Sequence, residues 1–416
     1  MTLHLSGPPN SVFRSTIKIT GSKSESNRLL ILQALYPNLT IDNLSNADDV
    51  EVMQQGLTVT KGEVDIHHAG TAMRFLTAYF ASKDGADVLL TGSSRMQERP
   101  IKVLVEALRN LGADIQYQKN EGYPPLKIKG RKLTAQKVSL PANISSQYIS
   151  ALLLIAASLP NGLEIELLGE ITSVPYIKMT LSLLEALEIK TTFKANTIKV
   201  YPFKTAEPKN VVVESDWSSV SYYYSIVALS EIGTELEISS FTPNSLQGDR
   251  ILAEVYTHFG VETIFKGQAL QLIKRSKAIK NIDENGHDIP LSLHLADAPD
   301  IAQTIVVTCF GLEIGCHLTG LHTLKIKETD RLEALKNELT KLGAKVKVSD
   351  KDLELEAGGK AKKDVTIETY NDHRMAMAFA PLAMKTTLFI NDAGVVSKSY
   401  PDFWKDLREL KFKVTS

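Results

Sequence analysis

The sequence repeats itself, and the period of the repeat limits what the chain can fold into. Helical segments end in Leu-Gly or a close variant and pass at once into an alternating strand, a joint in which glycine serves as the helix C-cap. LRNLGADIQY places that glycine at Gly112, HFGVETIF at Gly260 and LTKLGAKVKV at Gly343. Copies without glycine read LLEALEIKTTF around Glu188 and LRELKFKV around Lys411, and EVMQQGLTV near Gly56 stands as the first copy. The joints recur at roughly 75 residues, the span of one supersecondary unit.

A second series of landmarks keeps the same period. A small polar cluster precedes a long apolar stretch at Ser22-Lys23-Ser24 (RLLILQAL follows), Gly70-Thr71 (AMRFLTAYFA), Ser145-Ser146-Gln147 (YISALLLIAASL), Ser218-Ser219 (VSYYYSIVAL), Pro299-Asp300 (IAQTIVVTCF) and Asp372-His373-Arg374 (MAMAFAPLA). Helices apolar nearly all round are expected inside layers of other structure. Each unit then supplies one buried helix, one outer amphipathic helix and the strands between them. Six units make two similar α/β domains of three units each, with a cleft between the domains. The boundary is placed near Val213. The first strand, Arg14 to Thr20, precedes the first buried helix, and grouping it with the C-terminal half makes that domain discontinuous.

Composition narrows the function classes. The chain has 416 residues, 43% apolar and 23% charged, as in ordinary globular proteins of two to three domains. Lys and Arg number 47 against 48 Asp and Glu, so no overall basic field attracts nucleic acid or an anionic membrane, and any anion site is local. Two cysteines, Cys309 and Cys316, cannot build a disulfide framework and fit a reducing compartment. No apolar run reaches the ~20 residues of a spanning helix, and the first residues do not read as a signal peptide. A soluble cytoplasmic protein is the expectation.

The polar clusters suggest the chemistry. A helix start presents free backbone N–H groups and the positive end of the helix dipole, which favour an anion, although Ser, Thr and Asp also cap helices with no ligand present. The cations gather at these clusters. Lys23 and Arg28 flank the first, Arg74 follows the second, Arg95 and Arg99 occupy GSSRMQERP, Arg374 adjoins His373, and Lys398 precedes a proline-bounded turn. Lys327 and Arg331 stand four apart in KETDR, which predicts one helix face. Guanidinium forks bind oxyanions in pairs of hydrogen bonds, so the pattern points to a substrate carrying several phosphates or carboxylates. Asp300 and Glu328 are the acid–base candidates; an N-cap and a salt-bridge partner are the structural alternatives. His373 lacks companions at metal-ligand spacing, and no Walker A, GxGxxG or GxSxG motif is present.

The motifs GSKSESNR, AGTAMR, RMQERP, SSQY, SVPY, KETDR, NDHRMAM and SKSYPD, in this order along nearly the whole chain, resemble those of the 5-enolpyruvylshikimate-3-phosphate synthases. The resemblance implies the α/β enolpyruvyl transferase fold: two similar domains of three βαβαββ-type units with buried parallel helices, 21–213 and 1–20 with 214–416, and an active site in the interdomain cleft. It implies transfer of the enolpyruvyl group of phosphoenolpyruvate to the 5-hydroxyl of shikimate 3-phosphate by addition and elimination, with release of phosphate and without metal or organic cofactor. Matching positions assign shikimate 3-phosphate to Lys23, Ser24, Arg28, Ser145, Ser146, Ser173, Tyr176, Asp300 and Lys327. Phosphoenolpyruvate falls to Lys23, Gly70, Arg99, Gln147, Arg331, Arg374 and Lys398. By the same analogy Glu328 protonates C3 of phosphoenolpyruvate, and Asp300 or Lys23 accepts the hydroxyl proton once the domains close.

Three positions depart from the pattern. His68 and Phe75 replace the residues that usually bracket AGTAMR, and Thr323 stands where some members place Asn against the shikimate phosphate. Gly70 is kept, which implies sensitivity to glyphosate. Two rival readings remain at this stage. One is UDP-N-acetylglucosamine enolpyruvyl transfer, which generally uses a cysteine that Gly92 to Pro100 lacks; the other is a non-catalytic anion-binding repeat scaffold, which predicts a continuous basic stripe. A monomer is expected, with no nucleic acid or membrane partner.

Overall fold

The computed structural model describes residues 1–416 apart from Ser11, Ile144, Thr205, Ala206, Asn285 and His287, and describes Asn281 by its backbone only. The chain divides into two compact units, Thr20–Glu214 and Met1–Ile19 with Ser215–Ser416. Each unit has an apolar core of its own.

In the continuous unit the helices are α1 (Lys23–Leu35), α2 (Asp48–Thr58), α3 (Gly70–Ser82), α4 (Ser94–Gln97), α5 (Lys102–Asn110), α6 (Ser146–Ala156) and α7 (Val174–Ala186). Helices α1, α3 and α6 pack on one another and are buried along most of their length; α3 and α6 are apolar nearly all round, whereas α1 buries the polar Glu25, Ser26, Asn27 and Arg28 ahead of its apolar second half. The outer helices are one-sided. Helix α5, for instance, buries Leu104, Val105, Ala107 and Leu108 and exposes Lys102, Glu106 and Arg109. The discontinuous unit holds α8 (Trp217–Leu229), α9 (Leu252–Val255), α10 (Ala302–Gly311), α11 (Arg331–Leu342), α12 (His373–Phe379) and α13 (Phe403–Glu409). Here α8, α10 and α12 are the buried helices, and α10 packs against both others.

The sheets show the repeat most plainly. In one, Lys61–Asp65 runs parallel to Asp87–Thr91 across the buried α3, and the hairpin of Asp114–Tyr117 and Leu126–Lys129 then adds antiparallel to Asp87–Thr91. A strand, a buried helix, a parallel strand, an outer helix and a hairpin follow in turn, which is the βαβαββ order. The same spatial order, one parallel contact followed by two antiparallel ones, recurs in the sheets begun by Lys137–Pro141, Arg14–Ile17, Leu291–His294 and Val365–Ile367. In the last of these the final position of the hairpin is filled from the other end of the chain, by Leu3–Ser6.

One repeat is truncated. Among the described residues Leu39–Asp42 pairs only with Lys209–Val212, in parallel, no hairpin follows it, and α2 leads directly to the next strand. The missing hairpin accounts for the short interval between the first two polar clusters.

The joints also sharpen the repeat. Gly112, Gly260 and Gly343 take left-handed backbone angles, with φ of 102°, 75° and 105°. Glu188 and Lys411, which stand in for glycine in the weaker copies, take the same left-handed turn at φ 66° and 68° despite their side chains. Gly56 is a correction: it lies inside α2, where a Cβ would come 2.7 Å from Leu76 Cδ1 of α3, so it permits close helix packing and ends nothing. Among the described residues no helix is long and apolar enough to cross a membrane.

Candidate active site

In the discontinuous unit three helix starts meet around Arg374. Asp372 caps α12 by accepting the backbone N–H of Arg374 at 2.9 Å, which turns that side chain toward the ends of α8 and α10. Its Nη2 donates to Ser218 Oγ of α8 at 3.2 Å and to Asp300 Oδ2 at 3.3 Å, and its Nη1 donates to the Asp300 carbonyl at 3.2 Å. Asp300 belongs to the short turn Pro299–Ile301 that leads into α10.

Arg331, at the first position of α11, holds the other side of the cluster. It is 2% exposed and binds three carboxylates: Asp300 Oδ1 at 2.8 Å, Glu328 Oε2 at 2.9 Å and Asp372 Oδ2 at 2.6 Å. Lys398 Nζ reaches Glu328 Oε1 at 2.7 Å, and Lys327 Nζ lies 3.5 Å from Asp300 Oδ1. Six of the residues singled out in the sequence therefore stand together. Lys327 and Arg331 do so by a different route from the one expected. Asp330 accepts the N–H groups of Leu332 and Glu333 and so starts the helix at Arg331, leaving Lys327 extended; the two cations share a partner, not a helix face.

The electrostatics of this cluster are those of neutralised charge. Burial pushes the Asp300 carboxyl up, but Arg374, Lys327 and Arg331 together outweigh it and hold Asp300 well below the usual carboxylate range. Burial depresses Arg331, and Asp372, Glu328 and Asp300 more than restore it, so it remains a cation at every working pH. Burial also lowers Lys327, with Asp300 opposing. Sequence reasoning missed Asp372, which is fully buried, caps a helix and binds Arg331; its signal was its place in the NDHRMAM cluster.

The continuous unit carries a second set of residues around the starts of α1, α3 and α6. Gln147 Nε2 donates to Thr71 Oγ1 at 3.2 Å, so α6 and α3 begin side by side. Ser145 caps α6 through the N–H of Gln147, and Ser146 opens the helix. Arg99 makes no hydrogen bond or ion pair through its guanidinium among the described residues, and a Cβ at Gly70 would stand 2.6 Å from its Nη1. An unpaired cation thus rests against the start of α3, where the helix dipole also favours an anion.

Lys23 at the start of α1 pairs with the buried Asp49 at 3.1 Å. Ser24 contributes its carbonyl to Arg28. Arg28 is almost fully buried and donates to Thr180 Oγ1, the Ser24 carbonyl, Ser150 Oγ and the Tyr176 carbonyl. Its guanidinium lies 5.4 Å from the Phe75 ring centre and 5.7 Å from that of Tyr176. Burial lowers it to about 10, so it stays charged at neutral pH. Ser173 adopts a left-handed conformation, φ 54°, just before the Pro-containing first turn of α7 that carries Tyr176.

Other cations near the motifs are structural. Arg74 is buried and bonds the carbonyls of Gly70 and Pro100, and Arg95 forms an exposed pair with Glu98. Phe75 packs on Arg28, and Thr323 Oγ1 is buried without a hydrogen-bond partner among the described residues. Cys309 and Cys316 are buried free thiols, and among the described residues no group of three or more His, Cys, Asp or Glu is placed to hold a metal ion.

Comparison with known proteins fits these motifs. The family model described as EPSP synthase (3-phosphoshikimate 1-carboxyvinyltransferase) matches residues 56–407. A 3-phosphoshikimate 1-carboxyvinyltransferase of Bacteroides fragilis is 45% identical, over 99% of this chain and 98% of the relative. The chain belongs to the EPSP synthase family. A Haemophilus influenzae protein of the same description is 34% identical over 97% of this chain and 98% of its own. Among solved structures, EPSP synthase from Acinetobacter baumannii matches with a TM-score of 0.79 at 20% identity over the full length of both chains. An enolpyruvyl transferase from Streptomyces tendae matches with 0.73 at 13% identity, over 99% of this chain and 98% of that one. These two establish the shared enolpyruvyl transferase fold. The EPSP synthase motifs are the helix starts just described: GSKSESNR opens α1, AGTAMR opens α3, SSQY opens α6, and KETDR and NDHRMAM lead into α11 and α12.

Proposed function

We infer that the protein transfers the enolpyruvyl group of phosphoenolpyruvate to the 5-hydroxyl of shikimate 3-phosphate and releases inorganic phosphate. Family membership fixes the reaction, and the observation that carries the site assignment is the cluster of Arg331, Arg374, Lys327 and Lys398 around Asp300 and Glu328. Both substrates are polyanions that repel each other. Cations and helix starts preset in a dry site overcome that repulsion and hold the reacting atoms in line.

In this reading Arg331, Arg374 and Lys398, with Lys23, Arg99, Gln147 and the N-terminal end of α3 at Gly70, grip phosphoenolpyruvate. Ser24, Arg28, Ser145, Ser146, Ser173, Tyr176 and Lys327, again with Lys23 and Asp300, grip shikimate 3-phosphate. The acids and bases are released by the same event. Substrate oxyanions draw Arg374 and Lys327 away from Asp300, and Arg331 and Lys398 away from Glu328; the Asp300 carboxyl, held low by its cations, then rises toward the range in which it exchanges protons, and Glu328 is freed of its two ion pairs. Glu328 delivers a proton to C3 while the hydroxyl oxygen bonds to C2. The hydroxyl proton passes to Asp300 or Lys23. In the second step C3 returns a proton to the Glu328 carboxylate, the double bond re-forms, and the C2–O bond breaks with its electron pair leaving on the phosphate.

The protein acts as a cytoplasmic monomer in this proposal, and its free buried thiols fit a reducing compartment. Occupation of the phosphoenolpyruvate site next to Gly70 makes it a glyphosate target. The test is phosphate release from phosphoenolpyruvate with shikimate 3-phosphate or with UDP-N-acetylglucosamine, with Glu328→Gln run alongside. Release with shikimate 3-phosphate alone, lost in the variant, is expected. Release with the nucleotide sugar overturns the acceptor assignment, and full activity in Glu328→Gln overturns the role of that carboxyl.

A further inference from the structure

Behind Arg374 lies a carboxylate that the reaction scheme leaves unused. Asp249, in the single turn Gly248–Ile251, is 4% exposed. Its Oδ2 accepts the hydroxyl of Ser218, while its Oδ1 is buried with no hydrogen-bond partner among the described residues. Ser218 is the same residue whose Oγ accepts Nη2 of Arg374 at 3.2 Å. A guanidinium only donates and an ionised carboxylate only accepts, so the one proton of Ser218 is committed to Asp249 and its lone pairs are left for Arg374. The order Arg374 to Ser218 to Asp249 has a single direction.

The backbone holds this arrangement in place. Gln247, two residues before Asp249, accepts the N–H of Trp217 at 2.9 Å and donates to the Ser215 carbonyl at 2.9 Å. The turn carrying Asp249 is therefore tied to the segment that starts α8 and carries Ser218. Burial pushes Asp249 up to about 6, and Arg374 opposes that rise. A buried carboxylate with one bare oxygen is a net cost to folding, so stability does not explain it.

Binding does explain it. When a substrate oxyanion draws Nη2 of Arg374 off the Asp300 carboxylate, Ser218 remains a side-chain contact that aims that nitrogen, alongside the bond of Nη1 to the Asp300 carbonyl, provided its hydroxyl stays turned toward Asp249. We propose that Asp249 is a positioning residue for phosphoenolpyruvate binding, acting on Arg374 by fixing the Ser218 hydroxyl. The proposal rests on the reading that Arg374 grips phosphoenolpyruvate.

The experiment is steady-state kinetics of the full chain, with KM for each substrate and thermal melting, for Asp249→Ala, Asp249→Asn, Ser218→Ala, the Asp249→Ala/Ser218→Ala double variant and Arg374→Lys. Asp249→Ala is expected to raise KM for phosphoenolpyruvate about tenfold, the scale of one hydrogen bond to a charged group, and to leave KM for shikimate 3-phosphate unchanged. Asn keeps an acceptor oxygen and should restore most of the loss. Ser218→Ala should match Asp249→Ala, and the double variant should be no worse than either, because both act through one contact. An Asn variant as impaired as Ala, or additive effects in the double variant, overturns the relay. If Arg374→Lys raises KM for phosphoenolpyruvate while the Asp249 and Ser218 variants do not, the relay falls and the reading of Arg374 stands. If Arg374→Lys leaves that KM unchanged, the reading itself falls, and the relay with it.

Discussion

Gly70 and Arg99 show how much one methyl group can matter at a site made of helix ends. In Gly70→Ala the new Cβ lands 2.6 Å from Arg99 Nη1, inside any tolerable contact, and the unpaired guanidinium is the part free to move. In the proposed phosphoenolpyruvate site, displacing it removes one charge-assisted contact to the bound anion. KM for phosphoenolpyruvate is expected to rise by about tenfold, with glyphosate inhibition weakened and the melting temperature unchanged, as read by kinetics and calorimetry. A variant with unchanged KM would mean that Arg99 does not reach the substrate. Gly70 was legible in the sequence because AGTAMR places it in a small polar cluster ahead of an apolar helix. Asp249 was not, because Gln-Gly-Asp reads as an ordinary turn, and only the fold shows it behind Ser218. Asp372 lay between these cases. Its cluster was plain, but its bond to Arg331 spans 41 positions and leaves no local trace.

Single elements place the site through their ends. Helix α11 starts at Arg331 because Asp330 accepts two of its free N–H groups, each at 3.2 Å, and that start fixes where the arginine meets Asp300, Glu328 and Asp372. Asp330→Ala should cost about 1 kcal/mol in stability, measured by denaturant unfolding, and should lower kcat/KM by more than that loss explains, since Arg331 is no longer held at a fixed first turn. An unchanged kcat/KM would show that the three carboxylates position Arg331 without the cap. The same cap explains why the Lys327–Arg331 spacing misled: four residues apart means one face only when both lie within the helix. A second junction ties α8 to α13. Tyr223 and Tyr400 share a hydrogen bond at 2.7 Å, and Tyr400 donates to Asp406 Oδ2 at 2.6 Å. Burial pushes Asp406 up to about 6 from its ordinary 3.8, against the Tyr400 hydrogen bond. The folded state thus keeps this proton where the unfolded chain has lost it. The contribution to stability is fully present below about pH 4 and is lost as pH rises through 6, on the order of 2 kcal/mol. Asp406→Asn should therefore lose less stability than the parent between pH 4.5 and pH 7, a difference that melting curves at the two values measure directly. Equal losses would place the Asp406 carboxyl at its ordinary value.

At the scale of the whole molecule, a chain that interrupts one unit with another has closed each unit at the point of crossing. Ser22 N–H donates to the Glu214 carbonyl at 2.7 Å, joining the two ends of Thr20–Glu214, and Ser215 Oγ donates to the Ile19 carbonyl at 2.6 Å, joining the two segments of the other unit. The repeat was readable in the sequence because its Leu-Gly joints and apolar helices are local. The truncated first repeat was harder to read, because its partner strand, Lys209–Val212, lies at the far end of the unit and carries no mark of the pairing. With adjacent ends and a separate core, Thr20–Glu214 meets the conditions for folding alone. Expressed by itself, it should unfold in one cooperative thermal transition. Of the proposed shikimate 3-phosphate site it retains Lys23, Ser24, Arg28, Ser145, Ser146, Ser173 and Tyr176 and lacks only Asp300 and Lys327; of the proposed phosphoenolpyruvate site it retains Lys23, Gly70, Arg99 and Gln147 but lacks the three cations Arg331, Arg374 and Lys398. Shikimate 3-phosphate should therefore raise its melting temperature, because a ligand that binds only the folded state stabilises it, while phosphoenolpyruvate at the same concentration raises it far less. Asp300 and Glu328 are absent from the fragment, so no phosphate should be released. A fragment that folds yet responds equally to both ligands would require the two substrate sites to be divided between the units differently. A fragment that does not fold would mean that its core depends on the rest of the chain.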